Sequence, residues 1–199
     1  ATKRIAELCV KSFALNEESK TVYSSVRFGN VLNSSGSVVP LFKQQIETGG
    51  PITVTHPEVE RYFMSIPEAV GLILQSISIA NGGEIFFLNM GKPQKILNLA
   101  RKMIELSGLT EQNKNNPYGD IEIKYVGLRP GEKLFEELNI GESIQKTIHN
   151  DIFIANENFL EPDTISKIIS EIENSINKNS ISPLIQILEL YVEGFKFKK

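Results

Sequence analysis

Apolar residues recur at helical steps at both ends of the chain and in short strand-like runs between them. At the start, Ile5, Leu8, Cys9, Ser12 and Phe13 share one face, which predicts an amphipathic helix over residues 1–15. Strand-forming residues then fill 21–28 and stop at Gly29-Asn30, which predicts a buried strand delivering a loop. Asn33-Ser34-Ser35-Gly36-Ser37 is turn-prone, and a helix over 38–47 follows, closed by Gly49-Gly50 and Pro51. Short strands are expected at 52–54 and 61–66 around the turn His56-Pro57-Glu58. A helix over 68–79 is expected to have Pro67 as its first residue and to end at Asn81-Gly82-Gly83.

The alternation continues with a strand at 84–89, a helix at 96–106 stopped by Gly108, a polar loop at 113–119 and a strand at 121–126. Gly127 to Lys133 reads as a sharp turn feeding a helix at 134–138, and 152–154 as a last strand. Beyond these lie two helical stretches, 162–178 and 183–192, with Ile and Leu at i, i+3 and i+4 steps. Phe and Leu at helical steps are read as core. Strand and helix in alternation predict an α/β fold with some parallel sheet. The chain divides at 142 into an α/β region, 1–142, and a helical extension, 143–199.

Composition narrows the partners. The 199 residues carry 21 Lys+Arg against 24 Asp+Glu, so no basic stripe is available to neutralise a nucleic-acid backbone. One cysteine excludes a disulfide framework and predicts a reducing, cytoplasmic setting. No apolar run reaches the ~20 residues that span a bilayer. The chain opens Ala1-Thr2-Lys3-Arg4, already in a helical pattern, and is therefore expected to be a piece of something longer.

Two segments can carry chemistry. In Arg129-Pro130-Gly131-Glu132-Lys133 a fixed-φ proline and a glycine hold a turn from which Arg129 can meet a phosphate with its planar fork. Glu132 can accept from sugar hydroxyls; a surface turn with a helix-start carboxylate is the plain alternative. In the second segment, Arg27 to Val38, a strand ends in Gly-Asn and runs through a Ser/Gly loop into a helix. That is the layout that places ligands at the carboxyl ends of strands in open α/β sheets. Backbone donors there can meet a pyrophosphate or a base edge, and an ordinary Asx and Ser turn explains the same spacing. Arg61 flanks an apolar strand and can pair with a carboxylate or contact ligand. His56 and His149 form no metal-ligand spacing with Cys9, so no metal site is expected.

Six strings in order resemble one family, the polysaccharide-biosynthesis nucleotide-sugar 4,6-dehydratases of the extended short-chain dehydrogenase/reductase superfamily. They are Ala1-Thr2-Lys3-Arg4, Arg27 to Leu32, Ser34 to Pro40, Arg61 to Met64, Gly82 to Phe86 and Gly127 to Leu134, and the likeness covers roughly residues 1–142. The resemblance implies a Rossmann-like parallel-sheet remnant, a mixed α/β substrate-binding region and a helical tail. It implies that Lys3 is the lysine of the Tyr-x-x-x-Lys motif, touching the nicotinamide ribose and lowering the pKa of a neighbouring acid. Phe28 and Val31 are then near the cofactor. Asn30, Ser35, Gly36, Ser37, Val38, Thr53 and Arg61 are at the substrate, and Arg129 and Glu132 hold pyrophosphate and ribose.

The implied cofactor is NAD or NADP, held mainly by residues outside this sequence, and the implied substrate is a UDP-sugar, UDP-N-acetylglucosamine in the first place. Hydride leaves C4, water is lost across C5 and C6, and hydride returns at C6. The glycine-rich phosphate loop is not in this sequence, so these 199 residues alone are not expected to catalyse. Asn33 stands where the family has glycine, a position Asn can fill because it tolerates left-handed angles. A non-catalytic nucleotide-sugar-binding module and a C5-inverting dehydratase or epimerase remain the alternatives. Association through the apolar face of the first helix is expected to give a homo-oligomer, and the larger family members' transmembrane helices leave open a membrane-anchored parent.

Overall fold

The structure is a computed structural model and describes residues 1–15, 19–136 and 144–197. In chain order its elements are α1 (Thr2–Phe13), β1 (Ser25–Arg27), β2 (Asn30–Val31), α2 (Val38–Glu47), β3 (Ile52–Val54), β4 (Glu60–Arg61) and β5 (Phe63–Met64). Then come α3 (Ile66–Ile79), β6 (Ile85–Leu88), β7 (Gln94–Lys95), α4 (Ile96–Leu106), β8 (Glu111–Gln112) and β9 (Ile121–Tyr125). The last are β10 (Ile144–Lys146), β11 (Ile152–Ala155), α5 (Pro162–Asn177) and α6 (Ser182–Tyr191). They form two compact units. The first takes residues 1–27, 72–88 and 139–199; the second takes 28–71 and 89–138. The boundary read at 142 falls in 137–143, outside the described residues.

The first unit holds a four-stranded sheet in the order β1-β6-β11-β10. β1 pairs parallel with β6, while β11 runs antiparallel to both β6 and β10. All four residues of β6 are buried, as a central strand covered on both faces requires. Ile5 and Leu8 of α1 pack with Ile165, Ile168, Ile187 and Val192 of the α5–α6 hairpin. The face of α1 expected to drive association is therefore spent within the unit, leaving Phe13 exposed.

A charge cluster fastens α1 to the sheet. The Arg27 guanidinium at the end of β1 donates to both Glu7 oxygens at 2.6 Å and to Glu157 at 2.6 Å and 3.1 Å. Arg4 reaches Glu157 at 2.5 Å and Glu7 at 3.2 Å. Burial raises the Glu7 carboxyl, but hydrogen bonds and charge from Arg27 and Arg4 outweigh it and hold the group below its usual 4.5.

In the second unit, β3, β9 and β8 form a parallel sheet in the order β3-β9-β8, and the pairs β2–β5 and β4–β7 stand beside it. Phe42 and Ile46 of α2, Ile52 and Val54 of β3, and Ile96, Ala100 and Ile104 of α4 close one core with Val59 and Ile121.

Several expected elements are trimmed. The strand expected over 21–28 is only Ser25–Arg27, and that over 61–66 splits into β4 and β5, which pair with different partners. Residues 134–136 are not helical; the remainder of the helix expected there, 137–138, lies outside the described residues. α3 departs most from expectation. It buries the small residues Ala69 and Ser76 and exposes Val70, Leu74 and Ile77, while Leu72, Ile73 and Ile79 are half-buried.

Candidate functional site

The second unit contains a cavity of about 550 Å³. The first turn of α2 forms one wall with Gly36, Ser37, Val38, Leu41 and Phe42, and the end of β3 forms another with Thr53, Val54 and Thr55. The turn Arg129-Pro130-Gly131-Glu132, together with Val126, Asn30, Val59, Arg61 and Ile96, completes it. Every residue expected at the sugar nucleotide lines this space except Ser35, which is exposed beside Gly36. Phe28 and Val31 lie within two residues of Asn30 in sequence but do not line the cavity. Lys3 is exposed near the start of α1, in the first unit, and its ammonium has no partner among the described residues.

Local rules explain why these groups converge. Asn33 and Gly36 adopt φ of 61° and 72°, so the loop turns back on itself and delivers Ser37 as the residue capping α2. The Ser37 hydroxyl oxygen is buried and makes no hydrogen bond, and it does not cap its own helix. An unsatisfied buried hydroxyl is costly unless something else meets it. The first N–H groups of α2 lie beside it, and such a terminus favours an anion.

The Arg129 turn lines the same cavity and is tied by reciprocal bonds. The Glu132 N–H donates to the Arg129 carbonyl at 2.9 Å and the Arg129 N–H to the Glu132 carboxylate at 3.1 Å, with Gly131 at φ 79°. Glu132 also accepts from Thr55 Oγ1 at 2.8 Å and from Arg61 Nη2 at 3.2 Å. Arg61 in turn donates to the carbonyls of Glu60 and Leu134. Arg61 thus pairs with a carboxylate, and it also lines the cavity. Glu132 works first as a tie for the loop. The Arg129 guanidinium has no partner among the described residues and is exposed, as is the rest of its turn's outer face.

Sequence reasoning missed Thr55, Gln45 and Leu41. Thr55 follows Thr53 by two residues, one past the end of β3, so alternation continued beyond the strand predicts that both face one side, and that signal was available. Gln45 clamps Thr53 by donating to its hydroxyl at 2.8 Å and accepting from its N–H at 3.1 Å; nothing in its spacing from Thr53 announces this. Among the described residues, no group of three or more His, Cys, Asp or Glu is placed to hold a metal ion, and no helix is long and apolar enough to cross a membrane.

Fold and cavity together define an α/β protein of the extended short-chain dehydrogenase/reductase type. The chain belongs to the polysaccharide biosynthesis protein family, whose sequence pattern matches residues 1–157. It is 49% identical over 183 residues to the capsular polysaccharide biosynthesis protein CapD of Staphylococcus aureus, covering 91% of this chain and 29% of that protein. It is 51% identical over 138 residues to the probable polysaccharide biosynthesis protein EpsC of Bacillus subtilis, covering 69% of this chain and 22% of that one. Among solved structures it resembles Pen from Bacillus thuringiensis, with a TM-score of 0.64 and 31% identity over 82% of this chain and 54% of the other. It also resembles a UDP-N-acetylglucosamine 4-epimerase from Methanobrevibacter ruminantium M1 solved with UDP-N-acetylmuramic acid, at a TM-score of 0.51 and 26% identity over 67% of this chain and 42% of the other. The chain spans less than a third of the length of the first two curated relatives.

Proposed function

We propose that this chain supplies the sugar-nucleotide site of a nucleotide-sugar 4,6-dehydratase that works in the cytoplasm on UDP-N-acetylglucosamine and feeds polysaccharide synthesis. The observation that carries the reading is the presence, in the lining of one cavity, of an unpartnered Arg129 guanidinium and the unsatisfied Ser37 hydroxyl at the N-terminus of α2. A diphosphate answers both: it gives the guanidinium a bidentate acceptor and gives the hydroxyl and the helix N–H groups an anion. Asn30, whose side-chain amide has no partner among the described residues, can donate to and accept from a sugar hydroxyl. Thr53 and Thr55, fixed by Gln45 and Glu132, offer hydroxyls along the wall.

NAD or NADP, when bound, supplies the hydride acceptor and donor for such a reaction. The residues present fit that group in part. Lys3 is an exposed, unpartnered cation that can donate to a ribose hydroxyl and favour ionisation of a nearby acid. No glycine-rich phosphate loop lies in these 199 residues, so the dinucleotide's phosphates fall to other residues. A 4-epimerase is the second reading, favoured by the UDP-glucose 4-epimerase of Rickettsia bellii, 31% identical over 140 residues.

Calorimetric titration of the chain with UDP and UDP-N-acetylglucosamine, beside Arg129→Ala, tests the site. Saturable binding is expected, weakened in the variant by roughly 1.5–3 kcal/mol, the scale of hydrogen bonds to a charged group. Wild-type chain that takes up neither ligand, or a variant that binds as tightly, would remove the basis for the reading. Product analysis of a longer protein carrying this chain separates loss of water from inversion at C4.

A further inference from the structure

Two threonines in the cavity lining have their hydroxyls engaged in opposite senses. Thr53 is the middle residue of β3, and Thr55 follows one residue past its end; both line the cavity. β3 is an end strand of its sheet, and the Val54 carbonyl accepts from the Val126 N–H on the β9 side. Alternation along the strand turns the Thr53 N–H to the open edge. No strand meets it there among the described residues, and the Gln45 side chain does.

The bond to that N–H fixes which end of the Gln45 amide is which. A backbone N–H only donates, so at 3.1 Å it faces the amide oxygen, and the amide nitrogen is left to donate to Thr53 Oγ1 at 2.8 Å. The Thr53 hydroxyl is therefore engaged as an acceptor and keeps its proton to give elsewhere. Thr55 is the reverse. A carboxylate only accepts, so Thr55 gives its proton to Glu132 at 2.8 Å and keeps its lone pairs. Gln45 is itself held where α2 gives way to the turn into β3: its carbonyl accepts from the Gly50 N–H at 2.7 Å and from Thr48 Oγ1 at 3.1 Å. It does not line the cavity.

We propose that Gln45 is a positioning residue that sets specificity through Thr53. It fixes that hydroxyl as a donor, so this point of the wall takes a phosphoryl or carbonyl oxygen of the ligand, while Thr55 takes a donor such as a sugar hydroxyl. The proposal rests on the reading of the cavity as a sugar-nucleotide site.

Gln45→Glu separates polarity from scaffolding. The new carboxylate still accepts from the Thr53 N–H but also takes the hydroxyl proton, which turns Thr53 from donor to acceptor without releasing the strand. Amide exchange at Thr53, measured without ligand, should be slow in wild type and Gln45→Glu and at least tenfold faster in Gln45→Ala. Fast exchange in wild type overturns the clamp whatever the cavity binds.

In calorimetric titration, UDP is expected to bind about tenfold more weakly to Gln45→Glu and to Thr53→Val, the scale of one hydrogen bond to ligand. Thr53→Ser should recover most of what Thr53→Val loses, and adding Gln45→Glu to Thr53→Val should cost nothing further. Equal binding by wild type and Gln45→Glu overturns the proposal and leaves the cavity reading standing. Wild type that takes up no UDP removes that reading and the proposal with it. A further loss when Gln45→Glu is added to Thr53→Val, equal to its effect alone, shows repulsion of the diphosphate by bare charge and also overturns the proposal. Competition by uridine and by inorganic diphosphate locates the oxygen: the competitor that weakens in Thr53→Val carries it, and if neither weakens the proposal fails.

Discussion

Glu132 offers the sharpest test of how the cavity is held together. Replacing it by Ala removes the acceptor for Thr55 Oγ1 at 2.8 Å, the partner of Arg61 at 3.2 Å and the acceptor for the Arg129 N–H at 3.1 Å. The side chain is 20% exposed and that of Arg61 16%, so the ion pair is neither a free surface contact nor fully desolvated. A surface pair contributes up to about 1 kcal/mol and a hydrogen bond to a charged group about 1.5–3 kcal/mol. Water replaces the Arg129 contact at little cost, because that N–H is exposed. A loss of about 2–3 kcal/mol in the stability of the second unit follows, readable as a lower urea midpoint at unchanged slope. The affinity for UDP should fall by roughly tenfold, about 1.4 kcal/mol, because Arg129 is then presented from an untied turn. Glu132→Gln, which can still accept from Thr55, should fall between the two. If Glu132→Ala costs less than about 0.5 kcal/mol, an ordinary surface effect, and binds UDP like wild type, Glu132 is not the tie and the preorganised cavity is wrong.

A methyl at Gly29 would sit 2.9 Å from the Tyr62 carbonyl oxygen and 3.0 Å from the Tyr62 Cβ as well as against the Met90 sulfur. Gly29→Ala should therefore destabilise the second unit by about 1–3 kcal/mol in chemical denaturation, the usual cost of overpacking against backbone. Glu7 titrates lower folded than unfolded, so its stabilisation is complete above its ordinary 4.5 and is lost as pH falls through the lower, folded value. Glu7→Gln should accordingly lower stability at pH 7 and flatten its acid limb; parallel limbs for variant and wild type would show that the Arg27 cluster does not set the acid response.

Much of the frame was legible because it rests on short-range rules. α2 and α4 begin and end where periodicity and glycine stops place them, and β3 matches its alternation. Asn33 takes the left-handed angle its side chain tolerates, so its departure from glycine leaves the loop intact. What periodicity could not give was partnership. The run 61–66 reads as one strand because its residues are uniformly strand-forming, yet Arg61 pairs with Gln94 of β7 while Phe63 pairs with Asn30 of β2, so the ladder breaks between them. α3 reads as core for the same reason: its apolar content is real, but which face meets a neighbour is a tertiary fact.

The site shows the same limit at finer scale. Residue type and turn chemistry were enough to single out Asn30, Ser37, Arg61, Arg129 and Glu132, because ligand groups gather at strand ends and helix starts, whereas Thr53 was reached only through the family resemblance. They were not enough to divide labour between the two charged residues of the RPGE turn. Arg129 and Glu132 are three apart and look like equal ligands, but Thr55 and Arg61, some 70 residues earlier, occupy the carboxylate and leave the guanidinium without a partner. The asymmetry is what supports the proposed reading of the cavity as an anion site. A turn with two uncommitted charges of opposite sign would satisfy itself, whereas one whose carboxylate is already spent presents a net cation toward an unsatisfied hydroxyl and a helix N-terminus.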